Sequence, residues 1–301
     1  MTIVILSRGN CGLSACTTAY MVAMATAALL IMIFNITVHQ ILSFHFKHSF
    51  FSHTVTCKFI IYMSSVNMYM AVWFTVFFTF DRYVAICCET LKTKYCKVKT
   101  AAAVTMTTTT LVCLANMPYW FAYEPEKVID HLQWGCRTKL NFFTSPAGEA
   151  FSWLQSLLVV CVPFALILLC NCLTVRRILV ANRARRAFLG RSNECQRDPE
   201  MESRRNAIIL LFTISGSFIL LWLTAVVSYL SSKITSTAHY RGDYAAPAYI
   251  ATQTGYMLVH LSSCTNVCIY AATQSKFRQE LKKALTSPCS CILMSVNRKE
   301  K

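Results

Sequence analysis

Charge is what this sequence has least of. Only 14% of its 301 residues are Asp, Glu, Lys or Arg, against 55% that are hydrophobic. So apolar a composition excludes a disordered polar chain, which stays unfolded for want of surface to bury. It also leaves too little charge to cover two water-soluble domains of this combined length. The composition points to a membrane protein. Other absences narrow the chemistry. No Cys and His spacing suggests zinc, and no paired His, Glu or Asp stands in an apolar stretch as an intramembrane enzyme would need. Neither a metal, nor a cofactor, nor enzymatic activity is expected.

The distribution of the few charges is informative. Six stretches contain none, over 9–46, 59–80, 100–123, 150–175, 206–232 and 244–275, and each is at least 22 residues long. A helix rises 1.5 Å per residue, so about 20 residues cross a hydrocarbon core of about 30 Å. A helical bundle is the expected form, because backbone groups inside lipid must satisfy one another; a closed barrel would need many alternating segments of about 10 residues. The start departs from this pattern. Met1–Ser7 (MTIVILS) lacks the basic beginning, length and small residues of a cleaved signal peptide, and reads as the last two turns of a helix. The expected architecture is therefore an all-α transmembrane bundle of seven helices, of which six are complete spans here.

Lys and Arg set the orientation. One set of alternate connections, with the C-terminus, holds 22 of them, and the other holds 7. The positive-inside rule places the richer set, and so the C-terminus, in the cytoplasm. The net charge of +16 then faces an anionic leaflet, so membrane lipids are expected partners and nucleic acid is not. A transporter would want charged groups within its spans and inverted repeats, and neither is seen.

Cys57 stands at the outer start of the second charge-free stretch, and Asp81-Arg82-Tyr83 closes it 24 residues later; a single Cys136 follows in the next outer loop. Pro163, Trp222 and the run Asn266 to Tyr270 (NVCIY) come in order after them, then KFRQELKKAL over 276–285. With these marks in these places the chain resembles a class A (rhodopsin-like) G-protein-coupled receptor. FDRYVAIC, the opening IVILSRGNCGLSACTTAY and the proline-free Asn-x-x-x-Tyr look most similar to orphan-type receptors related to the pair that senses tryptophan and phenylalanine. The resemblance runs from Ser7 to about Leu285, implying a receptor domain over 1–285 and a cytoplasmic tail over 286–301.

The resemblance implies roles. Cys57 and Cys136 would form a disulfide tying the outer loop over the mouth of the bundle. Asp81, Arg82 and Tyr83 would form the coupling switch, Arg82 pairing with Asp81 at rest and freed for the partner when helix six swings out. Trp222 would relay ligand contact, with Asn266 and Tyr270 completing the switch, although a buried Trp is often plain packing. The partners implied are a heterotrimeric G protein and an unknown small-molecule or peptide ligand, and the place is the plasma membrane. Arg176, Arg177, Arg204 and Arg205 would face an acidic or dipole-terminated surface. Residues 276–285 would run along the inner membrane face, and Cys289 and Cys291 beyond them are candidates for palmitoylation. The remaining cysteines are expected as free thiols.

Departures from the pattern matter too. Ala28 and Ala71 replace the acidic and serine groups that hold sodium in relatives, Val267 replaces the proline of helix seven, and Thr224 that of helix six. Where the amino-acid-sensing relatives use an acidic group and an arginine, this chain has Ser64 and Ala225. The ligand pocket is expected in the outer half between helices three, five, six and seven, lined by Ser64, Asn67, Met68, Gln155, Trp222, Tyr229 and Tyr256; each of these could instead fill interhelical space. The rival overall reading is a truncated or decayed receptor that does not signal.

Overall fold

The computed structural model describes residues 1–8, 13–42, 45–46, 49–129, 131–189, 199–234 and 245–286. Short α1 (Thr2–Ser7) precedes α2 (Ala15–Ile31), which Ser14 starts by accepting a hydrogen bond from the Thr17 backbone N–H at 3.3 Å. A π-helical stretch, Met32–Leu42, continues α2, and the Thr37 hydroxyl donates five residues back to Met32 O at 3.0 Å. Then come α3 (Thr54–Cys87), α4 (Glu89–Tyr95), α5 (Val98–Asn116) and α6 (Pro118–Ala122).

The connection after α6 carries four short strands, β1 (Tyr123–Glu124), β2 (Lys127–Ile129), β3 (Leu132–Trp134) and β4 (Arg137–Thr138). β2 pairs with β3 and β1 with β4, both antiparallel. His131 and Gly135 take positive φ, of 61° and 67°, where this chain reverses. Helices α7 (Leu140–Thr144), α8 (Pro146–Ser156), α9 (Val162–Leu189), α10 (Pro199–Ile234), α11 (Pro247–Thr273) and α12 (Ser275–Thr286) complete the order. Proline opens α8 and α11 at the position where its missing N–H costs nothing.

Among the described residues five helices are long and apolar enough to cross a membrane: Ala15–Leu42, Thr54–Cys87, Val98–Ala122, Pro146–Ala181 and Arg205–Ser232. The sixth expected span, α11, is a helix of 27 residues, but Thr, Gln and Ser dilute its apolarity. Large side chains such as Leu111, Leu114, Leu220 and Met257 stay exposed on the outside of the bundle, as a lipid-facing surface requires.

The core runs in two clusters. One joins Tyr20, Met21, Phe74, Phe78, Leu210 and Tyr270 across α2, α3, α10 and α11; the other sets Val72, Ile167, Phe218, Trp222 and Val259 together. Buried Ile5 and Leu6 put α1 in the first cluster, with its helix packed on α2 and α12. On α12, Phe277, Leu281 and Ala284 recur at helical spacing and turn inward, leaving Lys282 and Lys283 exposed, so the amphipathic helix expected over 276–285 is present.

Candidate functional site

At one end of the bundle the last two turns of α3 carry Asp81 and Arg82. Arg82 donates to Asp81 Oδ2 through Nε at 3.1 Å and also through its terminal nitrogen, with Asp81 fully buried and Arg82 only 7% exposed. The other carboxylate oxygen is not left open. The thiol of Cys16, from the first turn of α2, donates to Asp81 Oδ1 at 3.0 Å. Cys96 lies at 4.0 Å from the Asp81 carbonyl, and the Tyr20 and Tyr95 hydroxyls meet at 3.4 Å. One carboxylate thus holds α2, its own helix and the segment after α4 together. Burial, and then the neighbouring Asp81, push the Cys96 thiol up to about 11, so it stays protonated near neutrality. Tyr83, the third residue of the triplet, is half-buried, its ring 6.4 Å from that of Phe80.

Midway along the bundle, Trp222 is 5% exposed and stacks on Phe218 with ring centroids 4.9 Å apart. Beside it is a cavity of about 20 Å³, room for about one water, bordered by Ala28, Ala71, Thr75, Ser262 and Asn266. Trp222 and Asn266 are therefore brought together. The methyl groups of Ala28 and Ala71 form part of this wall, where a bound cation would need oxygen. Tyr270 is fully buried, its ring 5.9 Å from Phe277 of α12, and its hydroxyl has no hydrogen-bond partner among the described residues.

At the opposite end Cys57 and Cys136 are joined by a disulfide, their Cα atoms 6.1 Å apart. The bridge does not act alone. Gly135 N–H donates to Ser52 O at 2.7 Å, Thr54 Oγ1 to Gly135 O at 2.8 Å, and the His53 and Trp134 rings lie 5.6 Å apart. The loop is thereby held on the first turn of α3.

The pocket residues expected from sequence fall into three groups. Ser64 and Asn67 are buried on α3, three residues apart and so on one face, with Met68 half-buried beside them. Gln155 donates through Nε2 to Ala115 O at 3.1 Å, and the Tyr229 hydroxyl meets Ser156 Oγ at 3.0 Å, so α8 is tied to α5 and α10. Tyr256 is 47% exposed. Trp222 sits deeper, in the second core cluster.

No sequence pattern singles out Cys16, Cys96 or Ser156. Nothing in sixteen scattered cysteines marks one that faces Asp81. Arg176, Arg177 and Arg205 are exposed, while Cys289 and Cys291 lie outside the described residues.

Comparison with known proteins meets this geometry. Residues 1–270 match the family described as 7 transmembrane receptor (rhodopsin family). The chain is 23% identical over 252 residues to G-protein coupled estrogen receptor 1 of Rattus norvegicus, covering 79% of this chain and 59% of the relative. It is 22% identical over 239 residues to the B2 bradykinin receptor of Rattus norvegicus, covering 78% and 57%. Against G-protein coupled estrogen receptor 1 of Homo sapiens the identity is 24% over 251 residues, covering 79% and 59%. The chain thus spans somewhat over half the length of these relatives.

Proposed function

The chain belongs to the rhodopsin family of seven-transmembrane receptors, and from that premise we propose that it carries an extracellular ligand signal to a heterotrimeric G protein. The observation that carries the proposal is the buried cluster in which Asp81 holds Arg82 on one oxygen and Cys16 on the other. Burying a guanidinium beside lipid is costly unless a counter-charge and hydrogen bonds meet it, so the paired form is a stable resting arrangement. Opening the bundle at this end would release the Arg82 donors to a partner.

No covalent chemistry is involved. An agonist that binds the open form more tightly shifts a two-state equilibrium by the difference in affinity. In this scheme Trp222 and Asn266, meeting at the small cavity, and Tyr270 below them transmit the shift. The Asp81 end and the C-terminus face the cytoplasm of the plasma membrane, in keeping with the 22 basic residues on that side. Exposed Arg176, Arg177 and Arg205 offer cations to the G protein there. Residues 1–285 form the receptor domain and 286–301 the tail, in which Cys289 and Cys291 would take palmitate.

The names of the relatives, one for estrogen and one for bradykinin, do not transfer a ligand to this chain. A relation to the tryptophan- and phenylalanine-sensing receptors likewise supplies ancestry without ligand, since Ser64 and Ala225 replace the two charged contacts. A second reading, a receptor-like protein that no longer signals, draws on Ala28, Ala71 and Val267, where switch groups of the family are replaced by apolar ones.

The test is nucleotide exchange. The protein in lipid nanodiscs, supplied with each class of heterotrimeric G protein and a broad ligand panel, should accelerate exchange on at least one. Normal surface delivery in cells with silence across every class and ligand would remove the signalling proposal and leave the second reading.

A further inference from the structure

We propose that the ligand taken at the disulfide end of the bundle is uncharged, an apolar body carrying hydroxyl or amide groups; the inference rests on the receptor reading above and deepens it.

The walls come from stretches that hold no charge at all. Ser64 and Asn67 lie in 59–80, Tyr119 in 100–123, Gln155 in 150–175, Tyr229 in 206–232, and Tyr256 and His260 in 244–275, none of which contains Asp, Glu, Lys or Arg. An ammonium or carboxylate entering between these walls would be desolvated with no counter-charge from the described helices to meet it, since in the outer connection Glu124 is paired with Arg137 and Glu126 and Lys127 are exposed. The Ala225 position offers no way round this. α11 passes so close that a Cβ on Gly255 would lie 2.7 Å from Ala225 Cα, so the backbone of one helix covers the place where a long basic side chain would have to start.

Hydrogen-bonding capacity, by contrast, is in surplus. Among the described residues, Ser64 Oγ, both amide atoms of Asn67, Gln155 Oε1 and His260 Nδ1 are buried atoms without a hydrogen-bond partner, while Asn171 Oδ1, Tyr270 Oη and Gln274 Nε2 lie elsewhere in the bundle. Native proteins leave few such atoms, because each forfeits its bonds to water. Two of these groups are half-used, which defines what they still offer. Gln155 has committed its Nε2 to Ala115 O and keeps an acceptor. His260 meets Gln40 Nε2 through its own Nε2 at 3.4 Å and keeps Nδ1. Asn67, fully buried, keeps a donor and an acceptor, and Ser64, one turn away on the same face, keeps a hydroxyl.

These groups are linked in space. Ser65, beside Ser64, donates to Asn116 Oδ1 at 2.7 Å, next to the Ala115 carbonyl that holds Gln155; Ser156, beside Gln155, meets Tyr229; and Met68 and Val259, the neighbours of Asn67 and His260, pack in one cluster. Helices α3, α5, α8, α10 and α11 thus carry neutral donors and acceptors to one end of the bundle. Neutral groups that both give and take hydrogen bonds, hydroxyls and amides, complement them; aromatic and aliphatic surface fits the rest.

A matched series on one C18 chain tests the idea: oleamide and oleyl alcohol as neutral probes, oleylamine as cation and oleate as anion, each added to the purified full chain in detergent while thermal unfolding is followed. A neutral probe should raise the unfolding midpoint by about 4 °C more than either charged one. Asn67→Leu and Gln155→Leu should each weaken that neutral probe about tenfold, the second variant serving if the first alters folding. Equal shifts across the series, including no shift from any probe, or a larger shift from oleylamine or oleate, would overturn the proposal. Nucleotide exchange in the same preparation separates the two readings. A neutral probe that stabilises the protein without affecting exchange supports the ligand class and counts against G-protein coupling; exchange stimulated by a charged probe does the reverse.

Discussion

The two ends of the bundle differ in how they meet a buried charge, although among the described residues each leaves some polar atoms unpaired, Tyr270 Oη and Gln274 Nε2 towards the Asp81 end. At the Asp81 end the protein supplies the partners itself: Arg82 on one carboxylate oxygen, Cys16 on the other, and the Cys96 thiol near the carbonyl. At the disulfide end Ser64, Asn67, Gln155 and His260 keep unpaired atoms although they are buried. A self-satisfied cluster holds one arrangement and must be broken to act. An unsatisfied one is ready for groups from outside. The proposed ligand-driven switch would use that difference, binding at one end and opening a latch at the other, with Trp222 and Asn266 lining one small cavity between them.

Breaking the latch outright should have the largest effect. Asp81→Ala leaves the Arg82 charge buried without its counter-ion, a loss of about 3 to 5 kcal/mol; thermal unfolding should show it, with faster basal nucleotide exchange in the surviving folded protein. Removing the bridge comes next. Cys57→Ala or Cys136→Ala should each cost about 2 to 4 kcal/mol and reduce surface delivery, read by cell-surface labelling. Unchanged delivery in both would show that the noncovalent contacts of Ser52, Thr54 and Trp134 suffice to hold the loop.

The disulfide end should answer mutation with the opposite sign. Asn67→Leu removes a buried amide that has no partner and substitutes an apolar group of similar size, so the unliganded protein should gain about 1 kcal/mol. A lowered unfolding midpoint would mean that Asn67 is already satisfied and would erase the contrast between the ends. Smallest of all is the pair of Arg137 and Glu124 in the outer loop, whose side chains are 59% and 35% exposed. Arg137→Ala should change stability by less than about 1 kcal/mol and leave loop position, followed by disulfide formation, as it was.

Much of this was legible in the sequence, for physical reasons that differ by residue. Charge-free stretches mark the long helices because lipid tolerates no unpaired charge, and α12 shows its face through Phe277, Leu281 and Ala284. The pairing of Cys57 with Cys136 and of Asp81 with Arg82 came from family resemblance, and the structure contains both. α11 is charge-free like the others, but its Thr, Gln and Ser residues, some of them exposed as Gln253 and Thr254 are, lower its apolarity. The π-helical run Met32–Leu42 and the strands around Trp134 have no local signature; they depend on packing and on the positive φ of His131 and Gly135. Cys16 was invisible as a partner of Asp81, because the contact joins residues 65 apart and a thiol in an apolar helix looks like any small buried side chain.

The most direct measurement compares basal nucleotide exchange for wild type, Cys16→Val and Cys16→Ser in nanodiscs. Valine matches the thiol in bulk but cannot donate to Asp81, whereas serine can. Faster basal exchange in Cys16→Val, returned towards wild type by Cys16→Ser, is the result expected if Asp81 is the latch. Identical basal exchange in all three, with all three folded, would contradict it.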